Sequence, residues 1–176
     1  MQEIYHTKKI VIAGTLLALG IIIVNTFHST GIPGNIFLPM HIPVFLGGLL
    51  LPSYLALILG VVMPLCSAII SGMPSLFPMA VIMVFELGTY GLIASILYRK
   101  MKMPAVISLI ISMICGRIIA GLAVFLLSTF FAVELNPVTF VIGGITTGIP
   151  GIIIQLILIP SLIYAIKRYT TIDLDE

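Results

Sequence analysis

The sequence predicts an all-α integral membrane protein with six transmembrane helices and both termini cytoplasmic. Three observations carry that prediction. The 176 residues are 60% hydrophobic and only 8% charged, with a mean hydropathy of +1.29, which is more apolar surface than a soluble core of this length can hide. The apolar runs are continuous, as in ALILGVV and VISLIISMI, whereas a closed β-barrel would alternate apolar and polar positions. Basic residues gather at alternate gaps: Lys8 and Lys9 precede the first run, Arg99, Lys100 and Lys102 follow the fourth, and Lys167 and Arg168 follow the sixth. With both ends inside, all of these lie on the cytoplasmic side, as the positive-inside rule requires, and the external loops carry neither Lys nor Arg. Four crossings would instead need two of the runs to be re-entrant. Residues 1–176 read as one membrane domain.

The first span is expected over 10–27. It follows MQEIYHTKK, is too long for a signal-peptide core and lacks a small-residue cleavage site, so it is read as retained. Gly14 and Ala18 stand at i,i+4 within GTLLAL, a spacing of small residues that permits close helix approach. Asn25, Thr26 and His28 close the span. The loop HSTGIPGNIFLPMH then leads into a short or tilted second span over 40–52. Pro39 and Pro43 are tolerated near a helix start, where backbone donors are unpaired in any case. Irregular backbone at that depth must be buried in protein or face a water-filled cavity. The loop therefore reads as folding back over a pocket mouth, with His28 and His41 at its two ends and Asn35 between them.

The turn LPSY joins the second span to the third, 53–71, whose outer end carries Ser67 and Ser71. The fourth span, 78–98, contains Glu86 and, one turn on, Tyr90. The fifth, 104–131, contains Arg117, the only basic residue inside a span. Glu86 lies about 12 residues from Tyr98 and Arg117 about 13 from Pro104, so roughly 18 and 20 Å from one short connecting turn at about 1.5 Å per residue. An unpaired charge at such depth costs from about 3 to more than 10 kcal/mol. Two readings stand: an ion pair that locks spans four and five, or a polar wall of a cavity that Tyr90 shares. The sixth span, 138–166, begins with Asn136, Thr139, Thr146 and Thr147 near its outer end and carries Gln155 further in.

Polar residues thus cluster toward the outside, as a cavity open outward and closed inward would require. Ser and Thr carry less weight in this pattern, because they can satisfy helix carbonyls locally. Cys66 and Cys115 sit within apolar runs and read as small buried hydrophobes. Two histidines without a nearby Cys or carboxylate do not make a metal site, so no metal is expected. No catalytic nucleophile motif and no Walker-type phosphate loop occurs.

The size, the six spans, the long first external loop and the LPMHIPVFLGGLLLPSYLALILGVVMPLCSAIISGMP stretch resemble the substrate-binding S components of energy-coupling factor (ECF) vitamin transporters. The resemblance covers essentially the whole chain. It implies high-affinity capture of a vitamin or related micronutrient at the external face of a prokaryotic plasma membrane. It also implies docking on a transmembrane coupling subunit and energy from two partner ATPases, which use the ATP, so that no cofactor belongs to this chain and no nucleic acid is a partner. The family's docking pair of small residues corresponds here to Gly14 and Ala18, with Gly in place of the first Ala. The substrate-binding set expected is Asn25, His28, Asn35, His41, Ser67, Glu86, Tyr90, Arg117, Asn136 and Thr147. The absence of Trp removes one stacking partner for a flavin or pterin, and the residue mix suits a largely neutral, hydrogen-bonding micronutrient, with a lean toward cobalamin or a queuosine-type precursor. The alternatives are an ATP-independent carrier or channel and an intramembrane enzyme.

Overall fold

The structure is a computed structural model that describes residues 2–169, with side chains from His6 onward. Its elements are α1 (Gln2–Ser29), α2 (Gly34–Phe37), α3 (His41–Leu50), α4 (Ser53–Ser71), α5 (Val81–Ser95), α6 (Ala105–Phe131) and α7 (Pro137–Tyr169). Wide π-type turns, Leu76–Ala80 and Ile96–Lys100, lead into and out of α5. No strand occurs among the described residues.

Among the described residues, five helical segments are long and apolar enough to cross a membrane: His6–Ser29, Ser53–Ser71, Leu76–Lys100, Ala105–Phe131 and Pro137–Tyr169. They match the expected first, third, fourth, fifth and sixth spans closely. The expected second span, 40–52, is a shorter element. Its helix α3 has ten residues, about 15 Å of rise, roughly half a hydrocarbon core of about 30 Å. The rest of that passage is the irregular segment before it, where Leu38 takes a left-handed conformation (φ 51°) and closes α2.

The short helix lies at the centre of the bundle. Val44, Phe45 and Leu49 are fully buried, and α3 packs against α1, α4, α5 and α7. Because the bilayer supplies no water for orphan carbonyls, protein groups cap its far end: Arg99 Nη1 donates to Leu50 O at 3.0 Å and Ser95 Oγ to Leu51 O at 2.8 Å. The tightest helix contact, α4 on α5, is made by small residues. A Cβ on Gly60 would run into the Leu87 carbonyl, and one on Gly91 into the Ala56 carbonyl, so the backbones touch, as in packing driven by van der Waals contact rather than by water exclusion. The outward surface is apolar, with Ile114, Ile118, Phe125 and Ile142 each more than half exposed, as befits a multi-pass membrane protein.

Candidate functional site

The segment joining α1 to α3 forms a roof, and α7 is shaped to receive it. Gly144, Gly148 and Gly151 stand at i, i+4 and i+7, one face of the helix. A Cβ on Gly148 would meet the Leu38 side chain at 3.0 Å, and one on Gly151 would lie 2.7 Å from the carbonyl oxygens of Ile36 and Phe37. One turn further, Gln155 Nε2 donates to the Leu38 carbonyl at 3.3 Å. On the other side, Phe27 meets Phe37 edge-on, with ring centroids 6.0 Å apart.

Beneath the roof lies a cavity of about 690 Å³, within the range that encloses a drug-sized ligand. Its charged wall is Glu86 and Arg117. Arg117 Nη1 sits 3.0 Å from Glu86 Oε1, and Tyr90 donates to the same oxygen at 2.6 Å. The guanidinium is positioned by a third helix: Nη2 donates to Gly144 O at 3.4 Å, and a Cβ on Gly144 would stand 2.7 Å from Nη1. One carboxylate and one guanidinium cancel, so the wall offers hydrogen bonds without net charge. His41 borders the cavity with both ring nitrogens unpartnered among the described residues, and its ring lies 5.4 Å from that of Tyr90.

A second chamber of about 380 Å³ lies between α6 and α7 and opens on the apolar outer face, where Ile114 and Ile118 border it, while Gln155 and His41 form its buried end. Leu38, His41 and Arg117 line both spaces, while Tyr90 and Gln155 line only the second.

Of the ten residues expected to contact a ligand, His28, Asn35, His41, Glu86, Arg117 and Thr147 line the larger cavity. Tyr90 does not share it: the ring is buried between Phe45, 4.9 Å away, and Gly116, where a Cβ would strike it. Asn25, Ser67 and Asn136 are also away from the cavity wall. Ser67 donates to Met73 O at 2.7 Å, and Asn136 Oδ1 caps α7 by accepting from the Thr139 N–H at 3.0 Å. Gly14 and Ala18 are exposed on the outer face of α1, with nothing within 4 Å of a Cβ placed on Gly14.

Sequence reasoning missed the apolar part of the wall: Met40, Met73, Met79 and Met83, with Phe27 and Phe140. Thioethers are polarizable and adapt to a flat ring. The two methionines of SGMPSLFPM, interleaved with prolines, were the available signal. Among the described residues no group of three or more His, Cys, Asp or Glu could hold a metal ion.

A family model described as ECF transporter, substrate-specific component, matches residues 8–163. Searches of curated proteins and of solved structures return no match.

Proposed function

The chain belongs to this family of ECF transporter substrate-specific components, and we propose that it captures a largely neutral, hydrogen-bonding micronutrient in the roofed cavity at the external face. Membership makes it a transporter subunit and not an enzyme, one that takes a small-molecule substrate and associates with ECF coupling and ATPase subunits. The carrier, channel and intramembrane-enzyme readings give way to it.

The observation that carries the substrate reading is the Glu86–Arg117 pair at 3.0 Å in the cavity wall. The pair neutralises itself and disfavours a ligand that brings uncompensated charge. The volume of about 690 Å³ suits a queuosine-type precursor better than cobalamin, whose corrin ring and nucleotide loop are far larger than a nucleobase. The ligand-contacting residues in this reading are His28, Asn35, His41, Glu86, Arg117 and Thr147.

The chain works in a prokaryotic plasma membrane as one domain, with both termini cytoplasmic and six crossings. The short second crossing is completed by the roof segment, and its capping by Arg99 at the basic end supports that orientation. Gly14 and Ala18 face the coupling subunit, ATP is consumed by the two partner ATPases, and no cofactor resides in this chain. Mass spectrometry of the protein extracted from its native membrane tests the reading. The coupling and ATPase subunits should co-purify, together with a small molecule. Extraction of a folded chain with neither contradicts it.

A further inference from the structure

Two cavities share one wall, and the unpartnered polar atoms collect there. The buried side-chain atoms without a hydrogen-bond partner among the described residues are both ring nitrogens of His41 and Oε1 of Gln155. Gln155 is 1% exposed and His41 5%, and both line the chamber between α6 and α7. An unsatisfied buried acceptor is more unfavourable than a made hydrogen bond is favourable, and a leucine at 155 would avoid it. Holding the roof uses only Nε2 of the Gln155 amide, and Oε1 has no hydrogen-bond partner among the described residues.

Building on the reading above, we infer that the α6–α7 chamber is the inner half of the ligand site. It takes a neutral, hydroxyl-bearing side arm of a ligand whose ring system occupies the outer cavity, with Gln155 Oε1 accepting from the arm. Met113, Val141, Ile145 and Ile152 line the chamber and suit the carbon skeleton of such an arm. A hydroxyl both donates and accepts, which is what Gln155 Oε1 and a neutral imidazole require. An aliphatic chain would leave all three atoms unpartnered. An ammonium arm would meet the Arg117 guanidinium, whose counter-charge Glu86 is already engaged.

The test uses matched pairs of ligands with and without a neutral hydroxylated arm: 7-hydroxymethyl-7-deazaguanine against 7-deazaguanine, and riboflavin against lumichrome. Each is titrated calorimetrically into the detergent-solubilised full chain. The chain should bind the hydroxylated member of one pair roughly tenfold or more tighter than its armless partner, the effect of a hydrogen bond and the arm's contacts. Gln155→Leu should abolish that ratio. Loosening the roof acts on both members alike, so the ratio isolates the arm. Met113→Phe, which narrows the chamber without touching the roof, should abolish it too, with thermal melts of the ligand-free variants showing that they fold. A ratio near one in the unsubstituted chain, or an unchanged ratio in both variants, overturns the inner half-site and leaves the outer-cavity reading standing. Failure of the folded chain to bind any of these or the other ECF-type vitamins overturns both.

Discussion

Glu86 receives Tyr90 and Arg117 on a single carboxylate oxygen, at 2.6 and 3.0 Å, in a site 3% exposed. Removing either charge strands the other where water cannot solvate it, so Glu86→Gln or Arg117→Met alone should destabilise the chain by about 3–5 kcal/mol. The double substitution should recover part of that loss, and thermal unfolding of all four proteins in one detergent measures the coupling. Strictly additive shifts would mean that the two groups do not act as a pair. This pair was legible because counting residues from one tight turn fixes depth in both helices. Tyr90 lines the second chamber rather than the larger cavity for a related reason. Four residues beyond Glu86 is one turn deeper, about 6 Å, which carries the ring below the cavity floor. Asn25 fails by rotation: Val24, Phe27 and His28 line the cavity, and one residue further round α1 is about 100° away. Ser67 and Asn136 are taken up by local backbone partners, the competing use that short polar side chains always have.

At the scale of the element, the boundaries of five spans followed from hydropathy and turn residues to within about four residues. The second did not, because its helix is half a span long and the rest of the passage is roof, a division that composition alone does not mark. The prolines and His41 of NIFLPMHIPVFLGG were its trace: they sit where the chain changes from roof to central helix. The receiving surface on α7 was present as G-x-x-x-G-x-x-G over Gly144, Gly148 and Gly151, yet it reads as ordinary membrane-helix glycine until the roof is seen against it. Gly151→Val should force the Ile36 and Phe37 carbonyls away from α7. Overpacking of this kind costs about 1–3 kcal/mol, here taken from the roofed state. Ligand affinity should fall tenfold or more through faster dissociation, with the melting temperature of the ligand-free chain little changed. Stopped-flow release rates check this, and an unchanged off-rate would detach the roof from ligand retention.

In the proposed function the whole molecule divides its labour between two surfaces. The roofed cavity lies among α1, α5, α6 and α7, whereas Gly14 and Ala18 lie on the exposed outer face of α1, turned away from the face that carries Val24 and Phe27 to the cavity. A bulky Ala18→Trp should block a docking helix without reaching the cavity. Micronutrient affinity should persist while co-purification with the coupling subunit and uptake are lost. Reduced affinity in a well-folded Ala18→Trp chain would place that face at the substrate site instead. The central claim is that this chain alone, without partner subunits or ATP, is a complete receptor. Calorimetric titration of the isolated chain against riboflavin, thiamine, biotin, folate, pantothenate, pyridoxine, cobalamin and queuine tests it most directly. The account predicts saturable one-to-one binding of one of these compounds, abolished by Arg117→Met. A folded chain that binds none of them until coupling subunits are added would contradict it.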